Sequence, residues 1–210
     1  MHGRHVVVTG GRGALGRGVV GLLTELGAVV HVADLPEVKL DDEAATAAFY
    51  AGLPALWASI HLVGGFAMTP IADVTLAEFE GQWRLNAATC FLSCREAVKA
   101  MRRTGGGGRI VNIAARPVIS PVGGMSSYVA AKASVAALTQ GLAVELRNDG
   151  ILVNAVVPST IDTPANRAAM PGADHAGWPT PREVAQAIAF LVSADNTLTS
   201  GALVPVYGRA

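Results

Sequence analysis

The stretch that decides the fold is VVVTGGRGALG at positions 6–16. A short β-branched run ends at Thr9, a glycine-rich turn follows, and Leu15, Val19 and Leu22 then recur at helical spacing. A strand, a glycine turn and a helix in this order are typical of a dinucleotide-binding unit, because glycine permits a tight turn and a close approach of the backbone to a pyrophosphate. The N-terminus of the following helix favours the negative charge of that group.

The alternation of strand and helix continues to the end of the chain. Further predicted strands lie at residues 28–33, 38–40, 59–63, 109–113, 152–157 and 203–206. Helical patterns separate them, and the two longest cover about 75–103, with a break before Asn86, and 126–147. The strands are apolar throughout, which is typical of a parallel sheet buried on both faces. We therefore expect one α/β domain over residues 1–210, a doubly wound Rossmann-type sheet of about seven strands with helices on both faces.

The composition excludes several classes of protein. The 210 residues are 51% hydrophobic and 15% charged, which excludes intrinsic disorder. Sixteen basic residues balance sixteen acidic ones, so no electrostatic case exists for a nucleic acid or a membrane surface as partner. No apolar run approaches the roughly 20 residues of a spanning helix, and the N-terminus lacks the apolar region of a secretory signal. A cytoplasmic location is expected.

The cysteines and histidines give no sign of a metal site. Cys90 and Cys94 lie four residues apart on one predicted helical face, where we expect reduced thiols packed as small hydrophobic groups. The five histidines show no ligand spacing along the chain. The sequence therefore predicts no metal.

An acidic residue ends the second predicted strand. Asp34 lies 18 residues after Gly16, close to the spacing expected for a carboxylate that binds the ribose 2′-hydroxyl of a dinucleotide. A carboxylate there repels a 2′-phosphate, which favours NAD(H) over NADP(H). Arg12 and Arg17 keep NADP(H) open, since either guanidinium could contact a phosphate. The other interpretation of Asp34 is a turn residue beside Pro36.

The segment Tyr128-Val-Ala-Ala-Lys132 carries the second chemical signal. Its spacing places Tyr128 and Lys132 on one helical face. A phenol ionises near pH 10 unaided, and a neighbouring ammonium lowers that pKa by stabilising the phenolate. The pair could then give a proton to a carbonyl or imine, or accept one in reverse. An exposed helical pair without function is the alternative.

The glycine turn, the acidic residue and the YxxxK segment together resemble the short-chain dehydrogenase/reductase family over essentially the whole chain. The resemblance implies that Tyr128 is the acid/base, that Lys132 lowers its pKa and binds the nicotinamide ribose, and that Asn86 holds a proton-relaying water. It further implies cofactor contacts at Gly10, Arg12, Gly13, Ala14, Leu15, Gly16, Asp34, Leu35, Asp41, Gly64, Gly65, Lys132, Pro158, Ile161 and Thr163.

Three positions depart from the usual family pattern. Ala115 stands thirteen residues before Tyr128, where the family usually has a serine, LVGG at 62–65 replaces Asn-Asn-Ala-Gly, and Pro158 is followed by serine rather than glycine. The dihydropteridine reductase branch of the family is similar in these departures and in the segment TIDTPANRAAMPGADHAGW at 160–178. That resemblance implies NADH and a quinonoid dihydropterin, and a similar small carbonyl or quinonoid substrate also remains open.

A second class of function stays open. Ala115 favours a cofactor-binding protein with weak or lost catalysis that acts as a sensor or structural subunit, whereas Tyr128, Lys132 and Asn86 favour an enzyme. The long helical patterns at 75–103 and 126–147 are rich in Ala, Val and Leu, and the family resemblance implies that they pair across a twofold axis. We expect a homodimer or homotetramer with a small-molecule substrate.

Overall fold

The sheet consists of six parallel strands in the computed structural model, which describes residues 1–209. The strands are β1 His5–Thr9, β2 Val29–Ala33, β3 Ala58–His61, β4 Gly108–Ile113, β5 Ile151–Pro158 and β6 Leu203–Val206. Their order is β2-β1-β3-β4-β5-β6, and every neighbouring pair is parallel. The winding reverses between β1 and β3, so a ligand crevice is expected at the carboxyl ends of these two strands.

Helices cover both faces of the sheet, as the sequence predicts. They are α1 Ala14–Glu25, α2 Glu43–Ala51, α3 Leu76–Trp83, α4 Thr89–Thr104, α5 Ser126–Glu145, α6 Pro164–Ala169 and α7 Pro181–Val192. Val7 of β1 belongs to a core shared with α2, α4 and α5, whereas its neighbours Val6 and Val8 belong to a core shared with α1 and α7. This alternation follows from the two-residue period of a strand and confirms the doubly wound α/β fold. Among residues 1–209, no helix is both long enough and apolar enough to span a membrane.

The predicted strand at 38–40 is absent, which leaves six strands rather than about seven. The backbone N–H of Val38 donates to the Asp34 carbonyl, and that of Asp42 donates to the Lys39 carbonyl, both at 3.0 Å. These bonds close turns within the segment, so β2 remains the edge strand. Val38 and Leu40 are nevertheless buried, because both pack into the core beneath α2 and α4.

The long helical pattern at 75–103 is interrupted, as expected, close to Asn86. Helix α3 ends at Trp83, a π-helical segment covers Arg84–Ala88, and α4 begins at Thr89. Single π-helical turns are rare and frequently occur at functional sites. Asn86 lies within this segment and is buried.

Candidate active site

The turn between β1 and α1 requires its glycines. Gly10 adopts a left-handed φ of +67°, and its N–H donates to the Ala33 carbonyl at 3.0 Å. The N–H of Gly13 donates back to the Gly10 carbonyl at 3.1 Å. A Cβ at Gly16 would lie 2.1 Å from that same carbonyl oxygen, so α1 packs directly on the turn.

Helix α1 begins without a side-chain cap. Its N-cap residue is Gly13, and α4 and α5 likewise lack a side-chain cap. The other helices are capped by the side chains of Asp42, Thr75, Thr163 and Thr180. The N–H groups of the first turn of a helix have no partner within the helix. In α1 the first turn begins at Ala14 and Leu15, beside the glycine turn. This arrangement suits the pyrophosphate of a dinucleotide, which such N–H groups and the helix dipole bind.

Asp34 faces the glycine turn from the end of β2. Its carboxylate accepts the backbone N–H of Arg12 at 3.0 Å and that of Leu35 at 2.9 Å. The Arg12 guanidinium donates to the Leu35 carbonyl at 2.5 Å and forms an ion pair with Glu37. Hydrogen bonding to Arg12 lowers the pKa of Glu37. Sequence reasoning did not identify Glu37, because nothing in its spacing indicates a partner 25 residues away.

The residues expected on the adenine side of the cofactor share one crevice. A cavity of about 320 Å³ is lined by Asp34, Leu35 and Asp41, together with Val63 and Leu85. Ligand pockets commonly begin at about this size. Asp34, Leu35 and Asp41 are distant from the glycine turn in the sequence. In the fold they border one concave surface beside that turn.

Asn86 is bonded to the loop that follows β3. Its side-chain oxygen accepts the N–H of Gly65 at 3.2 Å, and its side-chain nitrogen donates to the Gly65 carbonyl at 3.0 Å and to the Gln82 carbonyl at 3.1 Å. A Cβ at Gly64 would lie 2.5 Å from the Asn86 oxygen and 3.1 Å from the Lys132 ammonium. The side chains of Asn86 and Lys132 thus both border Gly64. Gln82 was missed, although its position four residues before Asn86 on a helix was an available signal.

Lys132 and Tyr128 lie at the same edge of the sheet. The buried Lys132 ammonium donates to the Ile113 carbonyl at 3.0 Å, and burial lowers the pKa of Lys132 to about 8. The Tyr128 ring packs edge-on against Phe66 with centroids 5.2 Å apart, and burial raises the pKa of Tyr128 to about 12. Burial therefore raises the pKa of the Tyr128 phenol, because it disfavours the charged phenolate. The sequence predicts the opposite, a pKa lowered by Lys132.

Position 115 is the second residue after the end of β4. Ala115 is buried and extended. The next residue, Arg116, places its guanidinium over the ring of Tyr207 at 4.9 Å.

The segment after β5 is held by one asparagine. Pro158 ends β5, and the Ile161 carbonyl accepts the side-chain nitrogen of Asn166 at 2.8 Å. Thr163 caps α6 by accepting the Asn166 N–H at 3.2 Å. Ile161 and Thr163 are thereby held near the carboxyl ends of the strands. Asn166 was not singled out, although it stands at the third helical position after a predicted turn.

Comparisons with known proteins agree with this geometry. A family model described as "Enoyl-(Acyl carrier protein) reductase" matches residues 2–208. The cis-4-hydroxycyclohexanecarboxylate dehydrogenase of Sinomonas cyclohexanicum is 33% identical over 242 residues, which cover 98% of this chain and 95% of that protein. The chain belongs to the short-chain dehydrogenase/reductase family.

Two further relatives support the assignment. The 2,5-dichloro-2,5-cyclohexadiene-1,4-diol dehydrogenase of Sphingobium indicum is 30% identical to this short-chain dehydrogenase/reductase, with 99% of this chain and 97% of that protein covered. The crystal structure of levodione reductase matches with a TM-score of 0.91 at 26% identity, over 99% of this chain and 98% of that chain. This short-chain dehydrogenase/reductase is accordingly an oxidoreductase of a family that binds NAD(H) or NADP(H).

Proposed function

We propose that this protein is an NAD(P)(H)-dependent enzyme that interconverts a small carbonyl or quinonoid compound and its reduced form. The observation that carries the proposal is the convergence of Lys132, Asn86 and Gly64 at the carboxyl edge of the sheet. Tyr128 lies one helical turn before Lys132 and packs against Phe66 of the same loop. No single stretch of sequence brings these groups together, and they meet beside the crevice between β1 and β3.

The residues present fit a dinucleotide. The uncapped start of α1 would hold the pyrophosphate, Asp34 the adenosine ribose, and the segment from Pro158 to Thr163 the nicotinamide carboxamide. When bound, the nicotinamide supplies or accepts the hydride.

The protein's own groups then handle the proton. In the reductive direction, the Tyr128 hydroxyl gives its proton to the substrate oxygen as the carbonyl carbon receives the hydride, so one hydride and one proton yield an alcohol. Tyr128 becomes a phenolate, and the positive charge of Lys132 stabilises it. Asn86 holds Gly65 and thereby the wall of the site. In the oxidative direction the phenolate accepts the alcohol proton.

NAD(H) is the proposed cofactor rather than NADP(H). The Asp34 carboxylate lies next to the glycine turn, where it repels a 2′-phosphate. Two guanidinium groups lie in this region: that of Arg12 is paired with Glu37, and that of Arg17 donates to the Arg12 carbonyl.

The substrate class is proposed from two observations. Two relatives are named for alcohols of six-membered rings, which suggests a small cyclic alcohol or ketone. A quinonoid dihydropterin is the second candidate, because the segment at 160–178 resembles the dihydropteridine reductase branch. A binding protein without turnover is the alternative that Ala115 would favour.

The test is a substrate panel with a matched variant. NADH oxidation is measured against quinonoid dihydropterin, quinones and cyclic ketones, and NAD⁺ reduction against cyclic alcohols. Tyr128→Phe should lower kcat by roughly 10²- to 10⁴-fold, the usual contribution of a positioned acid, while NADH still binds. Unchanged turnover in Tyr128→Phe would show the assignment to be wrong, and NADH binding without turnover of any panel member would favour the binding-protein alternative.

The enzyme is further proposed to be a homodimer or homotetramer that pairs through α4 and α5. Phe91 on α4 and Val144 on α5 are apolar side chains exposed in the single chain. Sedimentation equilibrium at micromolar concentration tests this, since a monomer alone would contradict it.

A further inference from the structure

A buried cluster of three metal-ligating side chains lies between the sheet and α4, outside the cofactor crevice. His61 is the last residue of β3, and Cys90 and Cys94 lie one turn apart near the start of α4. All three are at most 5% exposed, and their ligand atoms lie within 4.8 Å of one another. The sequence did not indicate this cluster, because His61 and Cys90 lie 29 positions apart and show no ligand spacing.

We propose that His61, Cys90 and Cys94 bind one Zn²⁺ ion as a structural site. One imidazole nitrogen and two thiolates are donors that Zn²⁺ prefers, and a structural zinc site needs a fourth donor to complete its tetrahedron. The ion takes no direct part in the proposed transfer of hydride and proton. Binding converts each thiol to a thiolate, so up to two protons are released when the metal enters.

The distances suit a tetrahedral ion after small side-chain movements. Cys94 Sγ lies 3.4 Å from His61 Nδ1. Zn–S and Zn–N bonds of about 2.3 and 2.0–2.1 Å space these two atoms by roughly 3.5 Å in a tetrahedron. Three atoms no more than 4.8 Å apart can place an ion within about 2.8 Å of each, so closing the site needs shifts of roughly half an ångström.

Asn112 supplies the fourth donor. Its side-chain oxygen lies 3.5 Å from Cys94 Sγ and 2.8 Å from His61 Nδ1. Its side-chain nitrogen donates to Thr139 Oγ1 at 2.9 Å, which keeps the amide oxygen turned toward the cluster. An oxygen ligand completes a tetrahedron of one nitrogen, two sulfurs and one oxygen.

The surrounding hydrogen bonds hold the ring of His61 in place and can accommodate either tautomer. The second ring nitrogen, His61 Nε2, lies 2.8 Å from Ser59 Oγ, which in turn lies 2.8 Å from Tyr50 Oη. Metal-binding histidines almost always donate their other N–H to a polar group of this kind, which fixes the tautomer that leaves a lone pair for the metal. In the metal-free cluster Nδ1 donates to the Asn112 side-chain oxygen, which can only accept. When zinc binds, this proton moves to Nε2, which then donates to Ser59 Oγ, and Nδ1 becomes the ligating atom.

The ion would join two elements that frame the candidate active site. His61 is four residues before Gly65, and Cys90 is four residues after Asn86. Gly65 and Asn86 are hydrogen-bonded to each other. A zinc bridge from β3 to α4 would fix the relative position of both partners, which is a positioning role without contact with the substrate.

The test uses the whole protein, loaded during refolding because the site is buried. The chain is unfolded under reducing conditions, refolded with Zn²⁺ or Co²⁺, passed over a chelating resin and analysed for metal. We expect about one zinc per chain, and a Co²⁺ form with tetrahedral absorption and a thiolate-to-cobalt charge-transfer band. Zinc should also raise the Tm of the protein.

Two matched substitutions locate the site. Cys94→Ala should reduce the bound zinc to below about a tenth of an equivalent and abolish the charge-transfer band. Ser93→Ala, a neighbouring buried residue of α4 that offers no ligand to the cluster, should retain both.

The proposal is overturned if the wild type retains less than a tenth of an equivalent of zinc, if its Co²⁺ form lacks the charge-transfer band, or if Cys94→Ala keeps the metal. Copper or iron bound in preference to zinc overturns the choice of ion. If Cys94→Ala does not fold, the wild-type Co²⁺ spectrum decides alone, because the charge-transfer band requires a thiolate ligand.

Discussion

The side chain of Asn86 and the backbone of Gly65 bond to each other in both directions. Gly65 donates its N–H at 3.2 Å and accepts the side-chain nitrogen at 3.0 Å. Gly65 lies beyond the end of β3, so its backbone has no neighbouring strand to bond to. The Asn86 amide supplies both of these hydrogen bonds instead. Because Asn86 sits in the π-helical segment, this pair couples an interruption in a helix to the wall of the candidate site.

Removing that pair should weaken both folding and turnover. Asn86→Ala leaves the Gly65 N–H and carbonyl without their partner, at a cost of about 1–3 kcal/mol in the free energy of unfolding. Urea denaturation measures the loss. Asn148→Ala, the same truncation at an exposed position, should change stability by less than about 0.5 kcal/mol. Equal stability of the two variants would contradict the role given to Asn86.

The glycine turn offers a second matched pair on one helix. In Gly16→Ala the new Cβ would lie 2.1 Å from the Gly10 carbonyl oxygen, so the backbone must shift. We expect a loss of about 1–3 kcal/mol in stability and at least tenfold weaker NADH binding by fluorescence titration. Gly21→Ala meets nothing within 4 Å and should instead stabilise α1 by roughly 0.5–1 kcal/mol with unchanged binding. If both variants bind NADH like the wild type, the turn does not hold the cofactor.

The buried ammonium of Lys132 predicts a pH dependence of stability. Burial lowers the pKa of Lys132 from 10.5 to about 8, so between these pH values the unfolded chain binds more protons there than the folded chain. Stability from this group therefore rises with pH across that window, by up to about 3 kcal/mol in total, and its full cost is present at pH 7. The shift of Tyr128, from 10.0 to about 12, acts in the opposite direction only above pH 10.

The Lys132→Met substitution should abolish this rise of stability with pH. Urea denaturation between pH 7 and 10, within the window set by the Lys132 pKa, compares the wild type with this variant. Lys39→Met, at a side chain that is 67% exposed, serves as the control and should keep the wild-type slope. Parallel pH profiles for the wild type and Lys132→Met would show that burial does not perturb this ammonium.

Cofactor preference should follow the charges around Arg12. Asp34→Ala removes the carboxylate that repels a 2′-phosphate, and Glu37→Gln frees the Arg12 guanidinium to bind one. We expect the ratio of the NADPH and NADH dissociation constants to move toward NADPH by about tenfold for each change, or about 1.4 kcal/mol. Glu43→Gln, which instead breaks an ion pair with Arg95, should leave the ratio unchanged. An unaltered ratio in Asp34→Ala would remove the physical basis of the NAD(H) proposal.

Local patterns predicted most of the fold. The last strand, Leu203–Val206, and the start of α7 at Pro181 agree with the sequence to the residue. Both depend on short-range features, a brief apolar run in one case and a Thr180–Glu183 capping box in the other. The prediction of a strand at 38–40 was wrong, because a strand must also pair with the edge of a neighbouring strand. The backbone of this segment forms turn hydrogen bonds instead.

The amino-acid order alone specified the glycines of the first turn, the spacing of Tyr128 and Lys132, and the alternation that produces a parallel sheet. Those features are encoded within a few residues of one another. Only the tertiary structure decided that Lys132 bonds to the Ile113 carbonyl and that Arg12 pairs with Glu37. It also brought the His61 ring against two thiols of α4. Such contacts depend on the register of the strands and on the positions at which the helices pack against the sheet. Packing of the whole core determines the register and these positions.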